Sequence, residues 1–196
     1  MTNTNVKPYS DLDIFAQAKK VPTFKRTSGL PLLVAIRSNE DEPDKFDDKF
    51  YVYDEHNNFV AVTSGTTNAG VHYLRNFQEL KVIGTGVIKA NEFYARGYKK
   101  GLHQGKMPCM RQNVPFKYFR DANRNLKAEE IGQLLVGNIA ANFHTVDYNI
   151  KSAKVGTVIG KWSAACMVAN VVQEYEEILR FLFRYSESDF LILQEW

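Results

Sequence analysis

Cysteine is scarce in this chain, with only Cys109 and Cys166 among 196 residues. That excludes a disulfide scaffold, in which covalent bridges replace a hydrophobic core. Two free thiols in a reducing compartment are the expected state. Long apolar runs are also missing: no stretch approaches the ~20 residues of a membrane span. The start, MTNTNVKPYSDLDIF, has no basic segment followed by an apolar one. No signal peptide is predicted, and the chain is expected to be made in the cytoplasm. Charge is nearly balanced, 25 Lys and Arg against 22 Asp and Glu, for a net +3. Nucleic acid is not expected as a partner; the small positive excess favours an anionic one such as a cell wall. There is no internal repeat and no low-complexity tract. No His/Cys group has zinc-ligand spacing, so no metal and no cofactor are predicted. GTGVIKA lacks the spacing and Lys-Ser/Thr ending of a phosphate-binding loop. Asp121, Asn123 and Asn125 alternate like the start of a calcium loop. Leu126 replaces the glycine required at the sixth position, so a polar turn is predicted there.

Hydrophobic residues make up 44% and aromatic residues 13%, enough for one packed core. Residues 1–9 are polar and read as loose. SDLDIFAQAKK (10–20) reads as a short helix capped by Ser10, with Asp13 at the third helical position and Pro22 beyond its end. LPLLVAIRS (30–38) has strand length. A charged loop, 39–48, surrounds Pro43. KFYVYDEHNNFVAVTS (49–64) reads as a hairpin turning at DEHNN, followed by a loop at 64–70. Residues 80–95 predict a strand, a glycine turn and further extended chain. Residues 97–112 read as short strands broken by glycines and Pro108. The start of 127–149 fits a helical turn, and NIAANFHTV fits a strand. From Cys166 onward, apolar side chains at 168, 171, 172, 175, 178, 179 and 182 have helical spacing, with Gln173, Glu174, Glu176, Glu177 and Arg180 opposite. FLILQ (190–194) closes the chain as a strand. The fold class is therefore α+β with β dominant: an N-terminal extension over 1–29 and a main domain over 30–196.

The stretch GKWSAACMVANVV (160–172) raises the chemical question. A helix starting at Cys166 would place the thiol where unpaired N–H groups and the helix dipole favour an anion. Such a thiol loses a pKa unit or more and becomes a nucleophile. The small Ala164 and Ala165 leave backbone N–H groups free to hold an oxyanion. Of the four histidines, His144 lies 22 residues upstream on an expected strand, and a return of the chain would bring it beside Cys166. On local features alone, a cysteine among small and apolar residues is most often inert core.

FHTVDYN…IGKWSAACMVAN resembles the active-site segment of the L,D-transpeptidase (YkuD-like) catalytic domain family, in a divergent, phage-associated form. That segment has a histidine, a loop, a Ser-x-Gly-Cys box, a helix and a last strand. His144 matches the histidine, Ser163 the serine and Cys166 the cysteine. The specific match spans about 25 residues. A looser one, through KFDDKFYVYDEHNNFVAVTSGTT, GVIKANEFYARGYKKGLHQGK and FKYFRDANRN, covers most of 30–196.

The resemblance implies an L,D-transpeptidase-like fold and a reaction on peptidoglycan stem peptides. Cys166 attacks an amide, His144 takes the thiol proton, Ser163 orients the box, and an acyl-thioester is resolved by water or by an amine. His103, in GLHQGK, and Ala165 are expected beside the substrate. Three residues depart from the family pattern. Ala165 replaces a glycine that often serves positive φ, Val168 replaces an arginine that helps bind a carboxylate, and Ala164 replaces a histidine or arginine. The expected function is cysteine-dependent cleavage of stem peptides, as in a phage lysin acting on the wall after release or delivery. The alternatives are a crosslinking L,D-transpeptidase and a non-catalytic phage structural or wall-binding protein on the same fold.

Overall fold

A computed structural model describes residues 9–40 and 42–196. Nearly all of the loose segment 1–9, and Asp41 of the charged loop, lie outside the described residues. In chain order the elements are α1 (Asp11–Ala18), β1 (Leu32–Arg37), β2 (Asp48–Tyr53), β3 (Phe59–Thr66), α2 (Val71–Asn76), β4 (Thr85–Ile88), β5 (Glu92–His103), β6 (Met107–Gln112), β7 (Phe116–Asp121), β8 (Leu135–Gly137), β9 (Phe143–Thr145), β10 (Met167–Ala169), α3 (Val172–Leu182) and β11 (Glu187–Gln194). A 3₁₀ turn, Phe77–Leu80, follows α2. The fold is mixed α+β and dominated by sheet. Eight strands close into a barrel in the order β1-β11-β5-β6-β9-β10-β3-β2, and β4-β7-β8 form a smaller sheet. Among the described residues, no helix is long and apolar enough to cross a membrane.

The run LLVAIR has every side chain buried because β1 is covered on both faces. Leu33 and Ala35 point into the main core with Phe50, Phe143, Met167 and Phe190. Leu32, Val34 and Ile36 point the other way, against Ile14 and Ala18 of α1. β2 and β11 divide their side chains in the same way, which is the two-residue period of a strand read onto two cores. Helix α1 forms as its sequence predicts: Ser10 Oγ accepts a hydrogen bond from the Asp13 N–H at 3.1 Å. Asp189 fastens the N-terminal segment to the barrel. Its buried carboxylate accepts from the Thr27 and Arg96 N–H groups at 2.7 and 3.0 Å, with the Arg26 guanidinium 3.4 Å away.

The helix after Cys166 starts later than its spacing predicts. Residues 167–169 form β10, and α3 begins at Val172. Met167 and Ala169 enter the main core while Val168 faces away, so a two-residue period is fused to the helical one that follows. The core-facing stripe of α3 is Tyr175, Ile178, Leu179 and Leu182.

Three further expectations are corrected. Leu80 ends the 3₁₀ turn, residues 81–84 are turn and bends, and the strand starts at Thr85. Gly84 lies so close to β7 that a Cβ would fall 2.6 Å from the Asp121 carbonyl oxygen. Of the glycines of 97–112, only Gly105 breaks the chain, in the turn between β5 and β6. Gly97 and Gly101 sit inside one 12-residue strand, β5, where a Cβ would meet Phe190 at 2.7 Å or Arg111 at 2.4 Å. No helical turn forms at 127–134. The Asp121–Asn125 segment is a polar turn: Asp121, Asn123 and Asn125 each accept a backbone N–H two residues on, at 3.0 to 3.1 Å.

Candidate active site

Strands β9 and β10 run parallel, with Val168 directly opposite His144. Because Phe143 and Met167 fill the main core, His144 and Val168 face out of it. Cys166 immediately precedes β10, and the Met167 N–H donates to the Asn142 carbonyl at 2.9 Å. The strand, loop and returning strand therefore bring Cys166 to His144. Strand β5 delivers His103 from the opposite side, at the mouth of a tight hairpin. Gln104 and Gly105 both have positive φ, and the Lys106 N–H closes the turn on the His103 carbonyl at 3.0 Å.

The loop before Cys166 is held on three sides. Ser163 Oγ donates to the Cys166 carbonyl at 2.8 Å. The Ser163 and Ala164 carbonyls accept from the Gly70 and Gly86 N–H groups at 2.9 and 3.0 Å. Gly86 leaves room for this contact, since a Cβ there would lie 2.8 Å from the Cβ of Ala165. The acidic loop supports the same region. Asp44 Oδ1 accepts from Val71 and Gly160 N–H groups at 2.9 and 2.8 Å. Ala165 does not have the positive φ that the resemblance led one to expect at this position. The left-handed residue is Ala140 (φ 57°), whose carbonyl accepts from Cys166 Sγ at 3.4 Å.

The electrostatics overturn the expected activation of the thiol. Cys166 does not stand at a helix N-terminus. Burial pushes its pKa up to about 11, opposed only by the Asn142 backbone N–H. His144 is fully buried. Its Nδ1 is 2.8 Å from the Thr145 carbonyl, which fixes Nδ1 as the protonated nitrogen. Its Nε2 has no hydrogen-bond partner among the described residues. Burial, and then the neighbouring His103, lower its pKa to about 3, against opposing contacts to the Thr145 and Trp162 backbone. The half-buried His103 stacks on it with centroids 4.0 Å apart and planes 29° apart, and burial lowers its pKa too. One donor atom from each of His103, His144 and Cys166 lies within 4.8 Å of the other two. At neutral pH the site thus holds a thiol and two uncharged imidazoles, not a thiolate–imidazolium pair.

A cavity of about 760 Å³ opens onto the sulfur, lined in part by Cys166, Ala165, His103 and Ile139. Arg111 and Arg120 stand on its wall, and no carboxylate lines it among the described residues. Arg111 reaches across β5 over Gly101. Arg120 donates to the Gly84 carbonyl at 3.1 Å and lies over the Tyr118 ring at 5.1 Å. Sequence reasoning placed His144, Ser163, Cys166, Ala165 and His103 in one site, and the structure brings all five together. It missed both arginines, Asn142 and Ala140. Arg111 lay two residues from Cys109 in the hairpin after His103, which is a weak signal; Arg120 gave none. Cys109 is fully buried with its pKa pushed up to about 12, and both thiols are free. Comparison with family models, with curated proteins and with solved structures returns no match for this chain.

Proposed function

We propose that this chain is a cysteine-dependent enzyme that cuts peptide bonds in peptidoglycan stems, in the manner of the L,D-transpeptidase family that its 144–170 segment resembles. One observation carries the reading: Cys166 lines a cation-walled cavity, beside a buried imidazole whose Nε2 has no hydrogen-bond partner among the described residues. In the proposed reaction the Cys166 sulfur attacks the amide carbon as His144 Nε2 takes its proton. Backbone N–H groups of the 163–166 loop face the developing oxyanion. Collapse expels the amine, which leaves with the proton from His144, and an acyl-thioester remains on Cys166. Water then attacks with His144 again as base, releasing the acid and the thiol. Arg111 and Arg120 attract the free carboxylates of a stem peptide. The absence of a lining carboxylate favours water over an acceptor amine, which as an ammonium ion would want one. Because thiol and imidazole are both neutral at rest, the proton moves as the sulfur attacks rather than before it.

A second reading, a wall-binding protein that has lost catalysis, is favoured by the raised pKa of Cys166. In either case the target is the cell wall, reached after release or delivery. Mass spectrometry of purified peptidoglycan digested with the protein separates the readings. Trimmed stems or broken crosslinks, without new dimers, are expected. New crosslinks would make the protein a transferase. Unchanged muropeptides together with retention on the sacculus would make it a binding module.

A further inference from the structure

Three metal-ligating side chains converge here from three separate strands, although their sequence positions have no metal-site spacing. His103 ends β5, His144 is central in β9, and Cys166 precedes β10. Their donor atoms lie within 4.8 Å of one another. The edge of a tetrahedral site with zinc-like bond lengths is about 3.5 Å, so closing the set takes a shift of roughly 1 Å and a turn of the His103 ring out of its stack on His144. The second observation is the state of His144. Its Nε2 is buried without a partner among the described residues, while Nδ1 is held by a backbone carbonyl at 2.8 Å. A buried imidazole nitrogen with no partner opposes folding unless a ligand answers it. A carbonyl on the far nitrogen is the arrangement that orients a metal-binding histidine. The third ligand has freedom to adjust: His103 is half-buried, and its ring makes one weak polar contact, 3.4 Å to the Asn142 amide. The cavity leaves the fourth position open to water or substrate.

We propose that His103, His144 and Cys166 form a two-imidazole, one-thiolate site for a divalent cation of the zinc type, and that its occupancy withdraws the Cys166 sulfur from nucleophilic use. The donor set selects Zn²⁺ or Co²⁺ and rejects Mg²⁺ and Ca²⁺, which want oxygen. On binding, the metal accepts lone pairs from two neutral imidazoles and from the sulfur, and the thiol proton leaves to solvent. One proton is released per metal ion, with no change of oxidation state. Binding itself does not depend on the enzymatic reading; the inhibitory consequence rests on it.

The test is a Co²⁺ titration of the chelator-treated, desalted protein, followed by absorption. A sulfur-to-cobalt charge-transfer band in the near ultraviolet is expected to saturate at one equivalent. It should be lost in Cys166→Ala and retained in Cys109→Ala. His103→Gln, which changes a half-buried side chain, should weaken binding at least tenfold without altering the fold by circular dichroism. One equivalent of Zn²⁺ should slow Cys166 alkylation at least tenfold, and chelator should restore it. Absence of the band, or its survival in Cys166→Ala, overturns the proposal. Hydrolysis of stem peptides by the metal-free protein is read separately and bears on the enzymatic proposal alone.

Discussion

The barrel buries ionisable groups on two of its outer regions and treats them in opposite ways. Where the N-terminal segment docks, the Asp189 carboxylate is answered by two backbone N–H groups and a guanidinium. Aromatic rings seal that region, with Phe15 against Tyr53 at 4.9 Å and Phe24 against Phe93 at 5.2 Å. On the β9–β10 region His144 is just as buried, yet one nitrogen has no hydrogen-bond partner among the described residues and a cavity opens beside it. A docking surface satisfies its buried polar groups because an unmade hydrogen bond opposes folding. A region that withholds the partner gives up stability and keeps a group available for chemistry.

The contrast is broken most strongly by removing the sulfur. Cys166→Ala is expected to lower peptide cleavage by about 10⁴-fold or more. Its thermal midpoint should stay close to the parent's, because only a small side chain is lost. Cys109→Ala is the control and should retain most activity; equal activity in Cys166→Ala would end the cysteine mechanism. His144→Gln should slow acylation by about 10² to 10⁴-fold, the usual worth of a general base. The same variant sharpens the comparison through stability. His144 is neutral in the fold down to about pH 3, while an unfolded histidine takes a proton near 6.5. Its contribution is therefore whole above pH 6.5 and is lost as pH falls from 6.5 toward 3, by up to about 5 kcal/mol. Denaturant melts of metal-free protein across that range should show a flatter acid limb in His144→Gln than in the parent.

On the docking region the effect should be on stability alone. Asp189→Ala leaves Arg26 without its carboxylate and is expected to destabilise by about 3–5 kcal/mol. The Cys166 alkylation rate of the remaining folded protein should not change; a changed rate would mean that the two regions are coupled. A gentler probe is the pH profile of that alkylation after chelation. With the thiol pKa raised to about 11, the rate should climb through the alkaline range without levelling near neutrality. A plateau near pH 7 would restore the thiolate–imidazolium pair that the geometry argues against. The smallest effect is expected at Ala140. Replacement by glycine relieves a left-handed alanine worth about 1 kcal/mol, partly offset by the entropy that glycine adds to the unfolded chain.

Much of the barrel was legible in the sequence. The strand-length apolar run at 30–38, the turn at DEHNN, and the Ser10 cap each specify their element by local physics. What was not legible came from close approaches between distant segments. Gly97 and Gly101 read as breakers because the side chains that need their space, Phe190 and Arg111, belong to other strands. Met167 to Ala169 read as helix because Val168 happened to continue the spacing of α3. The residues of the site were legible through the Ser163–Cys166 box and His144, but their protonation was not. That depends on burial and on His103 stacking from β5, which no local pattern encodes. The convergence of His103, His144 and Cys166 was equally hidden, since 41 and 22 residues separate successive members.

The most direct test of the central claim is intact-protein mass spectrometry of metal-free protein mixed with peptidoglycan stem peptides and quenched in acid. A mass increase equal to the acyl fragment, mapped to Cys166 and absent from Cys166→Ala, is the expected result. Cleaved peptide from Cys166→Ala at the parental rate, or neither adduct nor product from the parent protein, would contradict it.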